Sequence, residues 1–210
     1  TNKLLKPKNM LFKKLKTLLQ SDRFTWTKIT YFSPKGDKAP NGVAYYNGAF
    51  VNECLQNKQK FIEAIYEGDF AQKEWKERMK HTTVVFHQFM PENFPEAVSL
   101  IDKIIKNLKK NNFADSNLAF IFFADYIEIY GLDDFKTSAK AFVSITQFIS
   151  CEFAVRPFIL KYKEKMIDEM IKWSLHENHH VRRLASEGSR PRLPWAMAIP
   201  FLKKDPASIL

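Results

Sequence analysis

Glu187 stands among arginines. The stretch 176–195 reads His-Glu-Asn-His-His-Val-Arg-Arg-Leu-Ala-Ser-Glu-Gly-Ser-Arg-Pro-Arg-Leu-Pro-Trp, and places Arg182, Arg183, Arg190 and Arg192 within eleven residues. A guanidinium is a planar fork that can grip two phosphate oxygens, so four together suit a polyanion better than they suit a packing face. A carboxylate among them would repel phosphate and is better suited to reaction chemistry. A second acid has the same spacing: Glu152 lies four residues before Arg156 in Cys151-Glu152-Phe153-Ala154-Val155-Arg156-Pro157-Phe158. On an exposed helix such a pair contributes only ~0.2–0.5 kcal/mol. The neighbours of Glu152 are apolar, however, and an acid there is expected to face a cleft, paired with Arg156. Two helices each offering a carboxylate held by an arginine form a stronger active-site signal than either one alone.

Around these acids the arginines are expected to hold a backbone of phosphates, Arg156, Arg182, Arg190 and Arg192 among them. Gly188 is expected to supply a left-handed turn at the end of its helix, and with Ser189 a nest of free N–H groups. Trp195, between Pro194 and a run of small residues, can present its ring face to a nucleobase or a cation. His176, His179 and His180 have ligand-like spacing. Asn178 as a helix cap explains that segment, and no cysteine or aspartate completes a coordination set, so neither metal nor other cofactor is expected.

The elements that must position these groups are helices. From residue 49 onward the apolar pattern is helical and strand signals are almost absent. Trp75, Met79, Thr82, Phe86 and Phe89 share one face, and Pro91 stops that helix. Asn93 caps the next, with Pro95 in its first turn and Phe94, Val98, Ile101, Ile104 and Leu108 buried. Leu118, Ile121, Phe122 and Ile129 mark another, ended by Gly131. Asp133 or Asp134 then caps a helix with Phe135, Ala139, Phe142, Ile145 and Ile149 inside. Phe153–Leu160 follows, then a stripe of Met166, Ile167, Met170, Ile171 and Ser174. Asn178 caps the helix of Val181 and Leu184. Trp195–Leu202 is expected to be one more, limited by Pro200.

Short capped helices joined by short turns predict an all-α chain, an α-solenoid of HEAT-like repeats. Residues 1–48 are set apart as a short irregular N-terminal region, with a Lys-rich amphipathic helix over 1–20 and a short strand in Thr27–Phe32. Residues 49–210 form the repeat domain. Asp205-Pro206 opens a helix near the end of the sequence, so the chain is expected to stop inside a repeat and to be incomplete at its C-terminus.

Composition narrows the partner. The 210 residues carry 33 basic against 23 acidic side chains, a formal charge of +10, and 45% of them are hydrophobic. A basic chain with a packed core favours nucleic acid, anionic lipid or an acidic protein. No apolar run approaches the ~20 residues of a membrane span, and no signal-peptide pattern opens the chain. Cys54 and Cys151 are expected to be buried thiols in a reducing cytosol.

The motifs at 151–158 and 180–196 closely resemble the AlkC-type DNA alkylation repair proteins, HEAT-like-repeat DNA glycosylases related to AlkD. Lys76-Glu77-Arg78, Met90-Pro91 and Asn93-Phe94 are weaker matches in the same order, and the likeness covers about residues 49–210. The resemblance implies cleavage of the N-glycosidic bond of cationic alkylated purines, chiefly N3-methyladenine, in duplex DNA. It implies Glu152 and Glu187 as the active-site carboxylates, Arg183 and Trp195 as residues lining the lesion, and a further aspartate beyond Leu210. No lysine in the motifs is placed to form a Schiff base, so base release without strand cleavage is expected, from a cytoplasmic monomer with no obligate protein partner. The rival reading is a noncatalytic HEAT-repeat scaffold that binds nucleic acid or an acidic protein. The two acids decide between them, because a scaffold has no use for carboxylates in an anion-binding groove.

Overall fold

A computed structural model of the protein describes residues 26–30, 43–47, 58–110 and 118–209. The amphipathic helix expected over 1–20, the boundary at 48/49 and Cys54 lie outside those residues. Most stripe positions are buried as expected, Leu118 and Ile171 being exposed, and the chain forms two compact units, 1–90 and 91–210.

In the first unit, β1 (Trp26–Thr30) pairs antiparallel with β2 (Val43–Asn47), Trp26 opposite Asn47 and Thr30 opposite Val43. Two helices follow, α1 (Lys58–Tyr66) and α2 (Trp75–His87). They pack through Phe61 and Phe86, whose rings meet edge to face at 6.4 Å, with Ile65 and Met79 also buried. His81 satisfies the end of α1 through contacts of 3.3 and 3.1 Å from Nε2 to the carbonyls of Ala64 and Ile65. Arg78 is buried on the inner side of α2 and donates to the Ala71 carbonyl at 2.8 Å.

The second unit carries the motifs at 151–158 and 180–196. Asn93 accepts from the Glu96 N–H at 3.1 Å and opens α3 (Phe94–Lys110), which buries Val98, Ile101, Ile104 and Leu108. A 3₁₀ turn, Leu118–Phe120, leads into α4 (Phe122–Tyr130), closed at Gly131. Asp134 takes the N–H of Thr137 at 3.0 Å and caps α5 (Phe135–Thr146). That bond holds the Asp134 carboxyl below its ordinary pKa. Helix α5 packs on both α3 and α4, and Ser144 donates to Asp102 across the α3–α5 seam at 2.5 Å.

The next pair, α6 (Val155–Tyr162) and α7 (Glu164–Ser174), is joined by Lys163 alone. A reversal with no loop forces that residue to φ 46°, a conformation side chains other than glycine rarely adopt. In α7 the buried positions are Met166, Ile167, Met170 and Trp173, whereas Ile171 is half exposed. The inward face thus turns through Trp173, one step away from the expected Ile171–Ser174 stripe. Asn178 accepts from the His180 N–H at 2.9 Å and starts α8 (His179–Gly188). This helix packs on α7 and on α5.

Two expectations about backbone need correcting. Pro200 begins the last helix, α9 (Pro200–Lys204), rather than limiting one that runs from Trp195. Proline lacks the N–H that an interior position must donate, and the first turn does not require it. Gly188 has no left-handed φ and lies inside α8. A Cβ there would stand 2.7 Å from Cγ1 of Val155 and 3.1 Å from Cε of Met170. Glycine is present to let α6, α7 and α8 meet closely, and neither it nor the buried Ser189 offers an open anion nest. The Asp205 carboxylate accepts from the Ala207 N–H at 3.0 Å and opens a closing 3₁₀ turn, Ala207–Ile209. Among the described residues, no helix is long and apolar enough to cross a membrane.

Candidate active site

Helix α8 presents two faces. Val181, Leu184, Ala185 and Gly188 point inward. Arg183 and Glu187, one turn apart, lie on the neighbouring face and meet at 2.8 Å from Nη2 to Oε2. Ser189 closes the helix by donating to the Ala185 carbonyl at 2.7 Å. Glu152 lies in the turn just before α6, directed toward the same point. Its carboxylate is 3.7 Å from the Arg183 guanidinium and hydrogen-bonds Glu187. Thr146 at the end of α5 and Ser150 in the turn after it, with His180 and Leu184 from α8, complete a small cleft around these three groups.

The expected convergence of Glu152 and Glu187 is present, but the pairing is different. Glu152 does not pair with Arg156. Arg156 is fully buried and spends its donors on four backbone carbonyls: Met197 at 2.5 Å, Gly188 at 3.0 Å, Arg190 at 2.9 Å and Pro191 at 3.3 Å. A guanidinium so enclosed is not available to phosphate, which corrects its assignment as a DNA-binding residue. Its i, i+4 spacing to Glu152 is of no consequence because Glu152 precedes the helix and points away from that face.

The two acids are pushed apart in pKa. Burial raises Glu152 above the ordinary carboxylate value, and the hydrogen bond and charge of Glu187 add to the shift against a lowering by Arg183. The hydrogen bond from Arg183 lowers Glu187, with help from Arg190. The two acids are thus biased in opposite directions, Glu152 toward its neutral form and Glu187 toward its ionised one. Like-charged neighbours and a single counter-ion produce such a split. A cation entering the cleft lowers the Glu152 pKa again, so the site favours negative charge in response to a positive ligand.

The shifts have opposite consequences for stability. Glu152, with its folded pKa raised, favours the fold while protonated; that contribution is lost as pH rises from the ordinary carboxylate range through the folded value. Glu187, with its folded pKa lowered, stabilises above the ordinary range, and its contribution is lost as pH falls through its folded value. Glu152→Gln is expected to raise the urea midpoint at neutral pH and Glu187→Gln to lower it, both differences shrinking near about pH 3. Equal midpoints for parent and both variants at neutral pH would contradict the split.

Beyond α8 the chain makes a clamped loop. Ile199 donates its N–H to the Pro191 carbonyl at 3.0 Å and Ala196 to that of Leu193 at 3.2 Å. The turn Leu193-Pro194-Trp195-Ala196 has proline second and φ 64° at Trp195, the third residue. Proline second with positive φ third is the pattern of a type II turn, in which glycine normally takes the third place. Tryptophan there is held at a cost of about 1–3 kcal/mol, and strain of this kind gathers at binding and catalytic sites. Its side chain is 72% exposed, so it is not a core residue. Arg190 and Arg192 are exposed on the same loop. Arg182 is exposed as well, but part of its guanidinium caps the carbonyls of His176 and Glu177 at 2.8 and 2.7 Å. His176 accepts from the Asn178 N–H at 3.0 Å through Nδ1, so it too serves the entry to α8.

The fold and site define an all-α protein with the AlkC-like architecture, the β1–β2 pair being the departure from it among the described residues. Two likenesses specify it. A Bacillus subtilis (strain 168) protein described as the uncharacterized protein YhaZ is 44% identical over 154 residues, covering 73% of this chain and 41% of its own length. The solved structure of Pseudomonas fluorescens alkylpurine DNA glycosylase AlkC, bound to DNA containing an abasic site analog, matches with a TM-score of 0.67 at 32% identity. That match covers 77% of this chain and 44% of the other. The resemblance to AlkC-type proteins is thus present in sequence and in fold, and the chain spans less than half the length of both relatives. No family model matches the chain.

Proposed function

We propose that this chain carries the lesion site of a monofunctional DNA-alkylpurine glycosylase that releases cationic bases such as N3-methyladenine from duplex DNA. The observation that carries the reading is the meeting of Glu152 and Glu187 on either side of Arg183, on the same unit as the exposed, strained Trp195. The AlkC likeness supports it.

The chemistry fits the groups. N3-methyladenine already bears positive charge, so its leaving needs no general acid. The C1′–N bond breaks with its electron pair passing to the base, which neutralises it. The sugar becomes oxocarbenium-like, and a water oxygen bonds to C1′ while its proton passes to a carboxylate and then to solvent. Glu187, already ionised, stabilises the developing cation; Glu152, once deprotonated, can orient or deprotonate the water. Trp195 offers a π face that prefers a cationic base to a neutral one. Arg182, Arg190 and Arg192 hold flanking phosphates, and Arg183 lines the lesion. The reading needs neither metal nor other cofactor, and the protein works as a monomer on DNA in the cytoplasm.

The test is a duplex carrying a single N3-methyladenine. Free methylated base should appear, and the strand should stay whole until hot alkali opens the abasic site. Strand scission without alkali would overturn the monofunctional assignment. Tight duplex binding with no base release would leave the scaffold reading in its place.

A further inference from the structure

Arg156 is the buried group that the reaction scheme does not use. Its four acceptors, the carbonyls of Gly188, Arg190, Pro191 and Met197, are spread over ten residues of one loop. The first lies at the end of the helix carrying Glu187. The last lies two residues beyond Trp195. Between them sit Arg190 and Arg192. One guanidinium therefore spans the loop from the carboxylate end to the tryptophan end, and its own helix begins three residues after Glu152.

The Trp195 turn cannot supply this order itself. The loop has no helix or strand between Ser189 and Ile199, and is held by backbone bonds from Arg190, Ala196 and Ile199. Trp195 is at positive φ with most of its surface in solvent. A residue in that state relaxes unless its neighbours fix the backbone on both sides. Arg156 does so through the Pro191 and Met197 carbonyls, which flank the turn. The planar fork reaches acceptors in several directions at once, which a lysine ammonium on its flexible stem reproduces only in part.

We propose that Arg156 is a positioning residue for base release, holding the Trp195 turn in its strained conformation at a fixed place relative to Glu187. It touches neither base nor phosphate. The inference rests on the glycosylase reading for its kinetic consequence, while the clamp itself can be tested without DNA.

Three measurements decide it. In the unaltered protein, the Ala196 and Ile199 amides should exchange hydrogen slowly; exchange at the rate of an open loop would overturn the clamp, whatever the enzyme does. In Arg156→Lys, trypsin should cut the Arg192–Leu193 bond faster while the helical circular dichroism is kept. Arg190–Pro191 is no substitute site, because trypsin does not cut before proline. The single-turnover rate on N3-methyladenine duplex should fall roughly 10- to 100-fold in Arg156→Lys, as misplacement of a supporting group does, with duplex affinity changed much less. Combined with Trp195→Ala, Arg156→Lys should add little further loss, because both changes remove the same contribution. Fully additive losses would show that Arg156 does not act through Trp195. A parent protein that releases no base, but whose loop amides are protected, would reject the glycosylase reading and leave the clamp standing.

Discussion

Replacing Arg156 with methionine is expected to lower the free energy of unfolding by about 3–5 kcal/mol. Methionine fills most of the aliphatic volume, so the loss does not come from a cavity. It comes from four carbonyls that lose a charged donor at once, of which that of Pro191 keeps the Ile199 N–H. Each buried acceptor left unsatisfied costs ~1–3 kcal/mol, and the total stays below four times that because the loop can open and let water reach some of them. The Gly188 carbonyl is the one most deeply enclosed, since its bond to Arg156 is buried. Urea denaturation followed by circular dichroism gives the value. A change below about 1 kcal/mol would mean that water already satisfies those carbonyls in the folded protein. For a domain with a total stability of about 5–15 kcal/mol, the expected loss is large enough to reduce yield in cells.

The second large effect is expected at Glu187. Glu187→Gln should reduce the single-turnover rate of N3-methyladenine release by about 10²–10³-fold, the size seen when one preorganised electrostatic partner of a transition state is removed. Glutamine keeps the shape and a hydrogen bond to Arg183, so what disappears is the charge. Arg183 then stands beside the site without the negative charge that faced it at 2.8 Å, and repels the cationic base. The loss should therefore exceed what stability alone explains, and duplex affinity should hold because phosphate contacts remain. Glu152→Gln should also slow release, with a different pH profile. In the parent, the rate should climb as pH rises through the elevated Glu152 pKa; in Glu152→Gln that rise should be gone. An unchanged rate in both variants would remove the assigned roles.

What could be read from the sequence was local. Asn93 and Asn178 declare themselves as caps, and Asp134 as one of two candidates with Asp133, because a cap is decided within three residues; each of the three accepts an N–H of its helix. The Glu152–Glu187 meeting was legible because each acid recurs in an odd setting, one among apolar neighbours and one among arginines. Their partners were not, because partner choice belongs to tertiary contacts. Arg183 serves both acids, while Arg156, at the same i+4 spacing, turns inward. A signal for that was present: Arg156 interrupts the stripe Val155, Phe158 and Ile159, and a cation in such a stripe must find acceptors inside the protein. Ser150, Thr146 and His180 at the cleft had no such signal, since small polar residues and single histidines are common everywhere. The strain at Trp195 was half visible, because Pro194 points to a turn without revealing that tryptophan takes the glycine position.

Gly188 connects these features. It adjoins Glu187 in sequence, faces Val155 of the helix that follows Glu152, and lies 3.1 Å at its would-be Cβ from Met170. The missing side chain acts as a gauge: it sets how near α8 comes to α6, and with that the separation of the two acids. Across relatives that use this site, residue 188 should not vary by itself. Any larger residue there should appear only together with a smaller one at 155 or 170, and the chains that break this covariation should be those that have also lost one of the two glutamates.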